Sequence, residues 1–494
     1  MSLPRFPFDN SYARLPEVFF RRCEPKSAST PGLICFNHAL ADSLGIDVKH
    51  SDEASLAEVF SGNQLPEGAD SLAMAYCGHQ FGNLVPLLGD GRAILLGEVV
   101  DAYGKRRDIQ LKGAGKTPFS RPGSDGLAPL GPVLREYLVS EAMYALGIPT
   151  TRALAAVTTG EQVVREYPQP GAVITRVAAS HIRVGTFQYL ALQDDRDQLQ
   201  RLADYVIARH FPNAMFEDNP YLELLRCVSE RQASLVAQWM SIGFIHGVMN
   251  TDNMTVSGET LDYGPCAFMD AYHPETVFSS IDVQGRYSFE NQPYVARWNL
   301  ARLAETLLPL IDEDQDVAIE KAKAVLEDFM PRYDAFWLDA MRAKLGLENP
   351  EEDDATLLEA LLQSLADHRV DFTLFFRYLY RVAEDPGDDA EVAALFRDAN
   401  DWHQWSQRWQ QRLQRESVPA VDRGERMRAV NPAVIPRNHR VEEAIRAAED
   451  KGDFEPFHRL LAMVTDPYRE PGEHPEYMQP PAANEQVVRT FCGT

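Results

Sequence analysis

The run HGVMNTDNM (residues 246–254) and the LDYGP (261–265) that follows it decide how this chain folds. Asn253 stands seven residues after His246, and Asp262 opens an Asp-Tyr-Gly nine residues beyond Asn253. Two oxygen-bearing side chains on successive loops suit a divalent cation such as Mg²⁺, which takes hard oxygen ligands and leaves room for phosphate oxygens. The alternative is a buried turn in which Asn and Asp cap local backbone. Upstream, residues 94–100 (ILLGEVV) and 107–112 (RDIQLK) read as a β-hairpin around residues 101–104. Apolar residues then recur at helical spacing from Leu134 to Leu146, so a helix is expected from about Pro132 to the stop at Gly147. The hairpin carries Lys112 and the helix carries Glu136. A buried ammonium needs such a carboxylate, and the pair can orient phosphates, although an ordinary structural salt bridge reads the same way.

A strand lysine, a helix glutamate, then Asn and Asp on two loops is the order in which protein kinases place their nucleotide and metal residues. The expected fold class is therefore α+β: a protein-kinase-like bilobal fold with a β-rich N-lobe and an α-rich C-lobe. An N-terminal extension (1–75) precedes the N-lobe (76–180), and a helical C-terminal region (341–494) follows the C-lobe (181–340). Further strands are expected at 153–157, 162–166 and 172–177, and nearly continuous helix beyond Trp298, with breaks at 348–354 and 384–389. Trp402, Trp405 and Trp409 read as one packed helix face. Val248 stands where a kinase has its catalytic aspartate, and valine accepts no proton; Asp252, the only carboxylate of that loop, is the candidate base. Gly89, Gly91 and Arg92, ahead of the first hairpin strand, could cradle a phosphate, although Ile94 stands where a kinase glycine loop has its third glycine. GAGKT (113–117) imitates the end of a phosphate-binding P-loop but has Gln110 in place of the leading glycine and Pro118 where a helix should start. Arg176 and Arg183 could clamp phosphate oxygens or simply pair with carboxylates.

With 494 residues, 45% of them hydrophobic, the chain is long enough for two or three packed domains. Its formal net charge of −25 argues against nucleic acid as a partner. Residues 102–185 nevertheless hold 11 Lys and Arg against 6 Asp and Glu, so this one region can hold an anion. No apolar run reaches about 18 residues, and Pro4, Pro7 and Asp9 interrupt the start, so a soluble cytoplasmic protein without membrane partners is expected. The six cysteines (23, 35, 77, 227, 266 and 492) include no CxxC pair, so spacing points to neither a zinc site nor a disulfide framework.

Taken together, YCGHQFG (76–82), LGDGRAILLGE (88–98), LKGAGKTPFSR (111–121), SEAMYALGIPTTRAL (140–154), HGVMNTDNM, LDYGP, QGRYSFENQP (284–293) and VNPAVIPRN (430–438) resemble the selenoprotein O family. These are pseudokinases that act as protein adenylyltransferases, and the likeness covers nearly the whole chain. The resemblance implies a flipped nucleotide, with AMP passing from ATP to Ser, Thr or Tyr hydroxyls of proteins, including the enzyme itself. It implies that Lys112 and Glu136 act on phosphate, that Gly89, Gly91 and Arg92 line the nucleotide, and that Arg176 and Arg183 hold the distal phosphates. Asp252 becomes the proton acceptor; Asn253 and Asp262 become ligands of Mg²⁺ or Mn²⁺, with Asp262 also touching the nucleotide. Asp125 and Gly126 join the nucleotide contacts, although GSDGL (123–127) departs from the family's GDGR by an insertion and a Leu for Arg. Relatives carry a C-terminal Cys or selenocysteine that bonds a Cys ahead of the QGRYSF block. Cys492 matches the first, but residues 274–282 hold no cysteine, which leaves Cys266 as a conceivable substitute.

Overall fold

The computed structural model describes residues 3–491 as a mixed α/β structure, with one antiparallel sheet in the first 180 residues and helices through most of the rest. Strands β1 (Phe20–Arg22), β2 (Gly32–Phe36) and β3 (Leu72–Met74) come first. β4 (Gly78–Gln80) and β5 (Asn83–Val85) form a separate small hairpin, and then come β6 (Ala93–Val100), β7 (Arg106–Lys112), β8 (Ala128–Pro129), β9 (Arg152–Val164) and β10 (Pro168–Ala178). The sheet runs β1-β3-β6-β7-β10-β9-β2, with β8 added to β10. Thus the first 75 residues, expected as an extension packed on the body, supply three of its strands. The two strands expected at 153–157 and 162–166 are the single strand β9. Gly160, at φ 73°, bends it without ending it, and a Cβ there would lie 2.1 Å from Thr30 Oγ1.

Register sets the chemistry of each face. Lys112 lies between Ala93 and Ile174, and Gln110 opposite Arg176, so Lys112, Gln110 and Arg176 share one face. On the other face Ile109, Leu111, Val173 and Val177 pack with residues of α1 (His38–Ser43) and α2 (Glu53–Phe60). The lysine-bearing face is covered by α3 (Leu130–Ala145), whose Leu134 and Leu138 pack with Ile174. This helix begins two residues before Pro132. Its outer side is covered in turn by the helices Asn438–Lys451 and Glu455–Val464. Arg135 donates to Asn438 (2.8 Å) and Glu442 (2.6 Å), and the Gly131 N–H to Glu449 (3.1 Å). A helix buried this completely has little freedom to rotate, which fixes where Glu136 points.

The helical body is organised around α6 (Pro220–Ser241), which is capped by Asn219 and follows α4 (Val184–Ala191) and α5 (Arg196–His210). Its buried Leu224, Leu225, Val228 and Val236 share a core with Leu300, Leu303 and Leu307 of α7 (Gln292–Ile311). Between α6 and α7, β11 (Phe244–Ile245) pairs with β12 (Ala267–Phe268), and the chain joining them contains both the 246–254 and the 261–265 loops. The expected helical breaks occur near 348 and 385, and Trp402, Trp405 and Trp409 are buried on one helix face. Among the described residues no helix is long and apolar enough to cross a membrane.

Candidate active site

Where the sheet meets the helical body, six charged side chains converge. Lys112 Nζ lies 2.6 Å from Glu136 Oε2 and 2.6 Å from Asp262 Oδ1. Arg176 Nη1 reaches the same Asp262 oxygen at 2.7 Å and Glu136 Oε1 at 3.3 Å. Arg183 stands 3.7 Å from Asp262 Oδ2 and 3.3 Å from Asp90 Oδ1, with its guanidinium 4.2 Å from the centre of the Tyr76 ring. Burial alone would raise the Asp262 carboxyl, but Lys112, Arg176 and Arg183 outweigh it and hold this group well below the usual carboxylate range. Three cations therefore face Asp262, Glu136 and Asp90. An anionic ligand could take over part of that field without the cost of gathering it.

The loop 246–254 is built around a neutral histidine. Burial lowers the His246 pKa, and its Nε2 donates to the Leu261 carbonyl at 2.9 Å, which ties the two loops together one residue before Asp262. Asp262 itself has φ 64°, a left-handed conformation uncommon for a residue with a Cβ. Asn253 donates Nδ2 to the Val248 carbonyl at 3.0 Å, which leaves Oδ1 as its acceptor end. Asp252 is 8% exposed, and its Oδ1 has no hydrogen-bond partner. Burial pushes its carboxyl up to about 6, opposed by a 3.3 Å hydrogen bond from Gln80 to Oδ2 and by Arg183. A buried carboxylate with one idle oxygen suits a proton acceptor better than a capping residue.

Other candidates sit differently. Gly89 has φ 64°, and a Cβ there would lie 2.4 Å from the Phe119 ring, so packing of residues 117–120 against 89–91 already demands this glycine. A Cβ on Gly91 would meet the Phe119 carbonyl at 3.3 Å. Arg92 is half-buried, and its carbonyl accepts from the Gly113 N–H at 2.7 Å. Asp125 is paired with Arg165 at 2.9 Å and makes no ion pair with the Lys112 cluster, whereas Gly126 packs on Gly115, just past Lys112. Residues 113–127 form no helix, in keeping with the dismissal of a P-loop. Cys492 lies outside the described residues. The segment before it is nevertheless tied to the cysteine-free loop: the Ser280 N–H donates to Thr490 O at 3.0 Å, and the Thr490 N–H to Phe278 O at 2.8 Å. Thr490 Oγ1 also donates to Pro265 O, beside buried Cys266.

Reading loops alone missed the β4–β5 hairpin, which closes over Asp252. A Cβ at Gly78 would lie 2.3 Å from Asp252 Oδ1. The His79 N–H donates to Thr251 Oγ1 (2.7 Å) and the Phe81 N–H to Asn250 Oδ1 (3.1 Å), which also accepts from the Tyr287 hydroxyl (2.6 Å). Asp90 was also missed. It accepts from Gln110 (2.9 Å) and the Met74 N–H (3.1 Å), and so supports both Arg176 and Arg183 from beneath. The signal available was the block YCGHQFG itself, with two glycines and two amide or imidazole side chains in seven residues.

Among the described residues no three His, Cys, Asp or Glu side chains converge as an all-protein metal cage. Asn253 Oδ1 and Asp262 Oδ2 are the oxygen donors on these two loops that could hold a divalent cation beside phosphates. Cations gathered beside a metal-type loop pair and a partnerless carboxylate define a nucleotide-using transferase. The chain belongs to the family described as protein adenylyltransferase SelO, whose model matches residues 3–465. It is 59% identical over 489 residues to a protein nucleotidyltransferase YdiU of Rhodopseudomonas palustris, covering 99% of both chains. The proteins of the same name from Agrobacterium fabrum and Rhizobium johnstonii are 57% and 58% identical, with 99% and 97% of their own lengths covered.

Proposed function

We propose that this enzyme transfers AMP from ATP to Ser, Thr or Tyr hydroxyls of proteins, itself included, using Asp252 as the base and Mg²⁺ or Mn²⁺ held by Asn253 and Asp262. The observation that carries this reading is the pairing of a buried, partnerless carboxylate oxygen on Asp252 with the cation cluster around Asp262. The acceptor oxygen forms a bond to the α-phosphorus, the bond from that phosphorus to the bridging oxygen of pyrophosphate breaks, and Asp252 takes the hydroxyl proton. Lys112, positioned by Glu136, turns from Asp262 to phosphate. Arg176 and Arg183 balance the charge that develops on departing pyrophosphate, and being already in place they need little reorganisation. The metal, when bound, neutralises triphosphate oxygens and polarises the reacting phosphorus. Gly89, Gly91, Arg92, Asp125 and Gly126 are assigned to the nucleotide's surroundings.

In this reading the sheet-rich part (76–180) acts as a kinase-like N-lobe and residues 181–340 as its C-lobe, with 1–75 and 341–494 as flanking regions. The sheet's lysine facing loops of a helical body supports it. The enzyme's proposed substrates are proteins of the cytoplasm. Parallel reactions with α-labelled and γ-labelled ATP test the whole. Incorporation of α-label alone is expected; γ-label would mean a kinase-like phosphotransferase, and neither label an ATP-binding scaffold.

A further inference from the structure

Beside the hairpin that closes over Asp252 lies a groove of about 670 Å³, walled by Phe81 and Asn83, by residues 281–286, and by Tyr294 and Trp298 of α7. Its rim is apolar and exposed: Val283 is 91% accessible, Tyr294 62% and Ile281 55%, and Leu84 and Leu87 stand exposed on the neighbouring hairpin segment. Three large, exposed apolar side chains on the rim of one groove, Ile281, Val283 and Tyr294, exceed what singly scattered surface hydrophobics account for. Within the groove Arg286 lies 4.8 Å from the Trp298 ring and 5.7 Å from that of Tyr287, and its Nε is buried without a partner. Among the described residues Arg286 makes no ion pair, because the one carboxylate of the groove, Asp282, accepts from the backbone N–H groups of Arg286 (2.9 Å) and Tyr287 (2.8 Å). In a chain of net charge −25, a guanidinium set among aromatic rings with no carboxylate partner among the described residues is a place for an anion.

The groove is continuous with the proposed transfer site. Phe81, in its wall, packs on Tyr287 at 5.1 Å, and both bond to Asn250, two residues before Asp252. Gln80, the next residue along the hairpin, donates to Asp252. We propose that this groove docks the acceptor protein, through an extended segment that places an aliphatic or aromatic side chain against Val283 and Tyr294 and a carboxylate on Arg286, so that a nearby hydroxyl reaches Asp252 past the hairpin. The inference rests on the transfer reaction proposed above. Aromatic walls and a single arginine are the usual makings of a peptide-binding hot spot. The site thereby selects acidic, apolar surroundings of the acceptor hydroxyl, not any one hydroxyl chemistry.

A random-sequence peptide library with a fixed central serine, panned on the immobilised full-length enzyme with Mg²⁺ and a non-hydrolysable ATP analogue, tests docking apart from chemistry. Wild type should enrich Asp or Glu together with an apolar residue at fixed distances from the serine. R286E should exchange the acidic preference for Lys or Arg, and V283D should weaken the best wild-type peptide at least about tenfold while nucleotide affinity is kept. The charge exchange is the decisive readout, since mere damage to the fold cannot create a new preference. No enrichment in wild type, or the same enrichment in R286E, overturns the proposal. So does a wild-type dimer by light scattering that V283D splits, because a second copy would then own the groove. Peptides that bind as expected but take no α-label would sink the transfer reaction and leave the groove standing.

Discussion

Replacing Asp252 by Asn should make the protein more stable and nearly inactive. Asp252 is 8% exposed; among the described residues its Oδ1 has no partner, and the only hydrogen bond to its Oδ2 comes from Gln80 at 3.3 Å, at the long end of the range. A buried carboxylate served so poorly costs on the order of 1–3 kcal/mol relative to a neutral side chain of the same shape. Asparagine fills the same volume, can still accept from Gln80, and removes the charge. Thermal unfolding in EDTA without nucleotide should therefore show a midpoint raised by a few degrees. Titration with a non-hydrolysable ATP analogue and Mg²⁺ should give an affinity within about threefold of wild type, because the proposed reading assigns the triphosphate to Lys112, Arg176 and Arg183 and not to Asp252. Turnover measured with α-labelled ATP should fall by about 10²- to 10⁴-fold, the usual cost of losing a positioned base. A lower midpoint, or a loss of nucleotide affinity as large as the loss of turnover, would refute the reasoning, since either would make Asp252 a structural or metal-holding residue.

Asp262→Ala should behave in the opposite way, abolishing the Mg²⁺ dependence of nucleotide binding in the same titration. It should also lower stability by about 3–5 kcal/mol, because Lys112 and Arg176 lose their shared partner in a buried site; chemical denaturation reads this directly. Gly78→Ala should cut turnover with much less effect on nucleotide affinity, since the added methyl needs the space of Asp252 Oδ1 at 2.3 Å; steady-state kinetics beside calorimetry separates the two. Lys344 is buried over the Phe376 ring at 4.3 Å, and burial lowers its pKa from 10.5 to about 7. The unfolded chain thus binds the extra proton between about pH 7 and 10.5, so this lysine makes stability rise with pH across that window and carries its full penalty below it. Lys344→Met should stabilise the protein at pH 6 more than at pH 9 in matched denaturant titrations. Cys492→Ser should keep full activity under reducing conditions, and peptide mapping without reductant should find no disulfide from Cys492 to residues 274–282, which hold no cysteine.

Much of this was legible because it is local. Alternation and turn residues located β6 and β7 to within a residue, and helical spacing located α3 to within two. The spacing from His246 to Asn253 and on to Asp262 reflects backbone geometry, so it survives in the sequence as a fixed count. What was not legible depends on contacts between distant segments. Nothing near residues 20–22 or 72–74 says that they pair with each other at the edge of the sheet. Gly89 reads as a phosphate-loop glycine until Phe119, thirty positions on, is found against it. Gln80 carries no signal of its own, since its meaning comes wholly from Asp252, 172 positions away.

The placement of charge explains why this site can stand ready without a nucleotide. Lys112, Arg176 and Arg183 would repel one another strongly in a buried setting, and the protein holds them with Asp262, Glu136 and Asp90. Of these three carboxylates, Glu136 and Asp90 are anchored from behind, one on a helix enclosed by the C-terminal helices and the other by Gln110 and the Met74 N–H. Asp262 is different: it sits on a loop, its side chain is 22% exposed, and among the described residues its Oδ2 has only Arg183, at 3.7 Å. It is therefore the partner that can be shared with an incoming cation at least cost. Under the proposed function, a metal drawing on Asp262 would weaken its hold on Lys112 and Arg176 and so free them for a triphosphate. On this account metal and nucleotide assist each other's binding through one carboxylate, and the coupling needs no movement of the sheet or of the helical body.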